Sequence, residues 1–150
     1  MENWREHVEA TARTWLGTPY MHKGRIKGVG VDCGGLVYEV FNTFLPLPAF
    51  PTDYAPDWAV HRENEIYLDF IMPFVEEVQK PVFGGIIMVK YGRNYSHAAI
   101  CVSKDKFIHA WGRNQVGHVI ESKLNTFVYG HSEDGKPRPF KAFDLKAKWQ

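Results

Sequence analysis

Apolar residues near the N-terminus recur at helical steps. Trp4, Val8, Ala12, Trp15 and Leu16 fall on one side of a turn-of-helix pattern, which predicts an amphipathic helix over residues 3–17. Asn3 followed by Glu6 resembles a capping box at its start, and Gly17 with Pro19 supplies the stop. Residues 18–31 read as a Gly-rich loop. A second helix then begins at Asp32, a good N-cap residue, with Leu36, Val37, Val40, Phe41 and Phe44 forming its apolar rows. Pro46, Pro48 and Pro51 end it. Residues 62–72 suggest a third helix. After Pro81 the period shortens to that of strands. Residues 86–91, 97–103, 106–111, 117–122 and 140–145 are short, rich in strand-forming side chains and separated by turn residues. Ser103 to Lys106 reads as a tight hairpin turn. Helices followed by a run of strands predict an α+β domain, N-terminal helices packed on a five- to six-stranded antiparallel sheet. No repeat, low-complexity tract or long linker divides the chain, so residues 1–150 are expected to form one domain.

Composition narrows the function classes. The 150 residues are 45% hydrophobic and 23% charged, the balance of an ordinary globular domain. Net charge is +1 and no basic run is extended, so no nucleic-acid partner is expected. No stretch reaches the ~20 apolar residues of a membrane span, so no membrane partner is expected. The polar start, Met1 to His7, lacks the apolar core of a cleaved signal, which predicts synthesis in the cytoplasm without one.

Two cysteines without CxxC spacing do not make a disulfide framework, and their surroundings differ enough to suggest separate roles. Cys101 lies in the apolar run Ala98 to Val102 and reads as an inert core residue. Cys33 falls in the first turn of the second helix. There unpaired backbone N–H groups and the positive end of the helix dipole favour an anion, the setting that activates a thiol as nucleophile. Gly34 and Gly35 follow, and each costs about 1 kcal/mol relative to Ala in a helix. Something must approach that backbone closely. Two readings stand level here: a substrate carbonyl in an oxyanion hole, or a small buried Cys with glycines that permit tight packing.

A cysteine nucleophile needs an imidazole base and a polar group to orient it. His97 opens the strand Ser96-His97-Ala98-Ala99-Ile100, and His109 sits in Phe107-Ile108-His109-Ala110-Trp111. A three-residue hairpin loop would put both on one side of the sheet as neighbours, and a four-residue loop would separate them. Both registers remain open from sequence. The other histidines sit in polar segments and receive no catalytic role. Zinc sites usually show local ligand pairs such as C-x2-C or H-x3-H, and none is present, so no metal and no cofactor are expected.

Four segments, Trp15 to Tyr20, Gly30 to Val37, Ser96 to Ile100 and Phe107 to His109, resemble in order and spacing the NlpC family of papain-like cell-wall cysteine peptidases. The resemblance spans roughly residues 5–145. It implies Cys33 as nucleophile, His97 as general base and His109 as the residue orienting it. It further implies Tyr20 lining the site and Asp32 beside a peptidoglycan stem peptide, and Gly34, Ser96 and Trp111 complete the candidate substrate-contacting set. Family members typically cut between D-glutamate and the diamino acid of that peptide. The chain departs from the family pattern twice: Gly34 stands where Ser is usual, and Gly84-Gly85-Ile86 where Gly-Asp-Ile is usual. Tyr54 to Trp58 resembles an insertion carried by phage and gene-transfer-agent tail peptidases, implying tail-particle proteins as partners and delivery to the periplasmic wall. Rival expectations are a tail-assembly protein with vestigial activity, and a papain-like amidase or acyltransferase acting on a non-wall substrate.

Overall fold

The computed structural model describes residues 3–49, 71–91, 94–113, 116–125 and 136–150. Helix α1 spans Trp4–Arg13 and buries Trp4, Val8 and Ala12, the stripe its periodicity predicts. It is shorter than expected, and Asn3 does not cap it through its side chain. Asn3 adopts the left-handed conformation (φ 55°, ψ 32°) instead of the extended backbone a capping box needs. The chain leaves α1 through a turn that still buries Trp15 and bends at Gly17, whose φ of 86° suits glycine.

The stretch expected to be loop holds a small antiparallel pair, β1 (Arg25–Ile26) and β2 (Gly30–Val31). Helix α2 follows at Cys33–Phe41 and is buried along nearly its whole length. The remaining strands are β3 (Val75–Val78), β4 (Ile86–Tyr91), β5 (Asn94–Cys101), β6 (Lys106–Arg113), β7 (Val116–Lys123) and β8 (Phe140–Leu145). They form one antiparallel six-stranded sheet in the order β3-β8-β4-β5-β6-β7. The expected class, helices on an antiparallel sheet, is the one observed. Strand β3 was not expected. It is a four-residue strand with both glutamates exposed, too short for alternation to reveal. The third helix and the Tyr54–Trp58 motif lie, apart from Ile71 and Met72, outside the described residues.

The sheet has apolar side chains on both faces. On one, Leu36, Val37, Val40 and Phe41 of α2 and Val8 and Ala12 of α1 pack with Ile86, Met88, Ala98, Ile100, Ile108, Ala110 and Phe143. On the other, Ile87, Val89, Ala99, Cys101, Phe107 and Ala142 form a smaller cluster with Tyr91 and Trp111 at its margin. Arg5 ties α1 to the sheet through a two-pronged ion pair with Asp144, at 3.0 and 2.8 Å.

Two irregularities in the sheet shape what lies at one end of it. Strands β4 and β5 pair Val89 with His97 but Lys90 with Tyr95, so Ser96 is an extra, bulged residue. Strands β5 and β6 pair at only two positions, Ile100 with Ile108 and Cys101 with Phe107, whereas β6 and β7 pair at eight. Val102 N–H donates to the Lys106 carbonyl at 3.0 Å, so the β5–β6 turn holds three residues, 103–105. That is the register that places His97 and His109 on a common face.

Candidate active site

Helix α2 begins where it does because of Asp32. Its backbone is extended, and its Oδ1 accepts the Gly35 N–H at 2.8 Å while Oδ2 accepts the Lys23 N–H at 2.9 Å. The side chain is 1% exposed, so it both caps the helix and anchors the preceding loop. Gly35 is required here. A Cβ on it would stand 2.8 Å from the Gly24 carbonyl and 2.9 Å from Asp32 Oδ1. At this glycine the close approach anticipated from sequence is made by the chain's own loop and cap.

Cys33 therefore occupies the first turn of α2, 7% exposed, with its thiol donating to the Ser96 carbonyl at 3.3 Å. The acceptor is the bulged residue of β5, and His97 comes next in the chain. A bulge turns one peptide out of the regular ladder and re-aims the side chain after it. This one brings the helix start and the strand start together. Both cysteines are free thiols.

His97 Nε2 lies 2.8 Å from His109 Nδ1, and His109 Nε2 lies 2.9 Å from Ser122 Oγ on β7. The two rings meet edge to face, with centroids 5.0 Å apart. Burial pushes the His97 pKa down to about 4. His109, 1% exposed, is also pushed well below the ordinary histidine range, first by burial and then by the charge of His97. Both are thus neutral at pH 7, and a neutral imidazole is the form that accepts a proton.

Aromatic rings surround the pair. Trp111 stands edge-on to His97 at 5.4 Å and to His109 at 5.5 Å, and Tyr91 is edge-on to His97 at 5.7 Å. The Arg138 guanidinium covers the Tyr91 ring at 4.1 Å. Tyr20 is placed from the opposite side. Its N–H donates to the Gly117 carbonyl at 2.8 Å, and its backbone bridges to Val31 just before the α2 cap. The ring lies on Gly112, where a Cβ would come within 2.1 Å of it. Burial, then the nearby charges of Cys33 and Asp32, raise the Tyr20 pKa, so it remains a phenol.

The predicted residues thus assemble at one end of the sheet: Cys33 and Gly34 from α2, Asp32 from its cap, Ser96 and His97 from β5, His109 and Trp111 from β6, and Tyr20 from the preceding loop. Ser122 was missed. Its signal in the sequence is only a serine in a strand, and its meaning depends on the β6–β7 register. That register sets Ser122 opposite Phe107, diagonal to His109. The Gly85 departure has a local cause: a Cβ there would stand 2.5 Å from the Phe143 carbonyl of β8.

Comparison with known proteins identifies the family and the fold. The chain is 35% identical over 115 residues to a probable endopeptidase of Haemophilus influenzae, covering 74% of this chain and 60% of that protein's length. Its fold resembles the NlpC/p60 domain of the peptidoglycan hydrolase SagA at a TM-score of 0.59, with 18% identity over 91% of this chain and 96% of that one. It also resembles NlpC2 of Trichomonas vaginalis, with a TM-score of 0.63, 19% identity and coverage of 95% of this chain and 47% of that one. Residues 17–131 match the NlpC/P60 family, and the chain belongs to that family of cysteine peptidases.

Proposed function

We propose that this chain is a cysteine endopeptidase that cleaves an amide bond in bacterial peptidoglycan stem peptides, between D-glutamate and the diamino acid. The observation that carries the reading is the Cys33 thiol at the start of α2, bonded to the carbonyl preceding His97, whose ring contacts His109 at 2.8 Å. In the proposed cycle, His97 Nδ1 takes the Cys33 proton and the thiolate attacks the amide carbonyl carbon. The Cys33 N–H, at the positive end of the helix, donates to the developing oxyanion. Collapse breaks the C–N bond as His97 returns its proton to the amine. Water, deprotonated by His97, then attacks the thioester carbonyl, releasing the acid and restoring the thiol. His109 holds the His97 ring in place.

In this reading Tyr20, Gly34, Ser96 and Trp111 contact the stem peptide, and Asp32, the cap of α2, adds negative charge beside Tyr20. With Gly at position 34, the substrate amine is held without the hydroxyl that the family pattern would place there. The Tyr54–Trp58 resemblance supports a second element of the proposal, that the chain is carried by a phage or phage-like tail and acts on the periplasmic wall.

Digestion of purified peptidoglycan, followed by mass spectrometry, tests the whole reading. Wild-type protein, and tail particles carrying it, should release fragments ending at D-glutamate. Cys33→Ala should abolish that release while leaving the thermal unfolding profile unchanged. Equal turnover by Cys33→Ala would end the nucleophile assignment, and products cut elsewhere would move the bond. Particles free of the chain would remove the tail assignment.

A further inference from the structure

The hydrogen-bond chain beyond the second histidine carries a consequence for the first. Two neutral imidazoles own one N–H each, and a single contact, His97 Nε2 to His109 Nδ1 at 2.8 Å, joins them. That contact holds one proton. If it belongs to His97, then His109 carries its own on Nε2, and Ser122 Oγ, 2.9 Å away, accepts it. If it belongs to His109, then His97 carries its proton on Nδ1, and Ser122 must donate to His109 Nε2. The tautomers of the two rings are therefore correlated, and the direction of the chain is decided at its serine end.

Only the first direction leaves His97 Nδ1 with a lone pair. We propose that Ser122 is a positioning residue: its hydroxyl oxygen accepts the His109 Nε2–H bond and so holds His97 in the Nε2–H tautomer, ready to take the Cys33 proton. The inference rests on the reading of Cys33 and His97 as nucleophile and base. Three features of the site support the direction. His109 is 1% exposed, so solvent is a poor substitute partner for its Nε2–H. Ser122 is only partly buried, so its own hydroxyl hydrogen can turn to water while the oxygen accepts. Ser122 also sits on β7, which pairs with β6 along eight positions, so the acceptor is held by a continuous ladder.

Removing the hydroxyl has a defined result. A buried His109 Nε2–H without an acceptor is unfavourable, and the ring escapes by moving its proton to Nδ1, against His97 Nε2. His97 must then carry its proton on Nδ1, where it can no longer accept one.

The test is nitrogen-15 NMR of the imidazoles, read beside steady-state kinetics on stem-peptide fragments. In the wild-type protein both rings should show the Nε2–H tautomer. In Ser122→Ala the His97 and His109 signals should move toward Nδ1–H, with kcat falling about 10- to 100-fold and KM little changed. Ser122→Thr should restore the wild-type tautomers and most of kcat, and the near-isosteric Ser122→Val should not. The Thr/Val pair decides the matter if the alanine variant fails to fold. A wild-type His97 protonated on Nδ1, or a folded Ser122→Val with wild-type tautomers and kcat, would overturn the proposal. A protein inactive on every wall fragment would instead overturn the peptidase reading, and the tautomers would still decide for or against Ser122.

Discussion

Cys101 donates its thiol hydrogen to the Ser103 carbonyl at 2.8 Å among Ile87, Val89 and Phe107, and burial pushes its pKa up to about 11. Cys33 stands at a helix start, its thiol bonded to the carbonyl that precedes His97. Thiolate is the form that alkylating reagents attack, so the two residues should differ sharply in rate. Iodoacetamide near pH 7 is expected to label Cys33 at least tenfold faster than Cys101, as read by peptide mass mapping. Equal slow labelling would favour the rival view, a structural protein with vestigial activity. This contrast was visible in the sequence because both causes are local: an apolar strand around one thiol, an Asp cap before the other. His97 and His109 were identifiable as residues but not as partners, since their adjacency depends on a hairpin one residue shorter than the alternative. Ser122 was beyond reach, for its partner lies diagonally across a second ladder.

Among the elements, the strands β4, β6, β7 and β8 and helix α2 followed from periodicity and turn residues, with boundaries shifted by a few positions. The capping box at Asn3 failed because the pattern specifies side chains and not the backbone angles that let them cap. The bulge at Ser96 left no trace in composition, yet it brings the Ser96 carbonyl to the Cys33 thiol. Gly112 is a comparable case. It reads as an ordinary strand glycine, but the missing Cβ is what lets the Tyr20 ring lie on β6. Gly112→Ala should force that ring out of its seat, lowering stability by about 1–3 kcal/mol in urea unfolding and reducing turnover more than binding. Stability within error of wild type would show that the ring relocates without cost.

On the scale of the molecule, the two site histidines make folding depend on acid. The His97 pKa is about 4 in the folded protein, against about 6.5 in an unfolded chain. Between those values the unfolded state binds more protons, so stability is fully present above pH 6.5 and is lost as the pH falls towards 4. His109 shifts in the same direction and adds to the loss. For His97 the effect is on the order of 2 kcal/mol, allowing for its partial exposure. Urea unfolding at pH 7 and pH 4.5 measures it, and His97→Gln should show a shallower decline. An unchanged slope in that variant would assign the acid sensitivity elsewhere. The general plan, helices before an antiparallel sheet, was legible from the chain because it depends on hydrophobic period alone. The order β3-β8-β4-β5-β6-β7 was not, since it needs the last strand inserted between two earlier ones.

Strands β5 and β6 join at two positions beside their turn and run unpaired toward the site. His97 on β5 and His109 on β6 therefore meet where these two strands no longer pair, so the 2.8 Å contact between the rings bridges a stretch of the sheet that the backbone ladder leaves open.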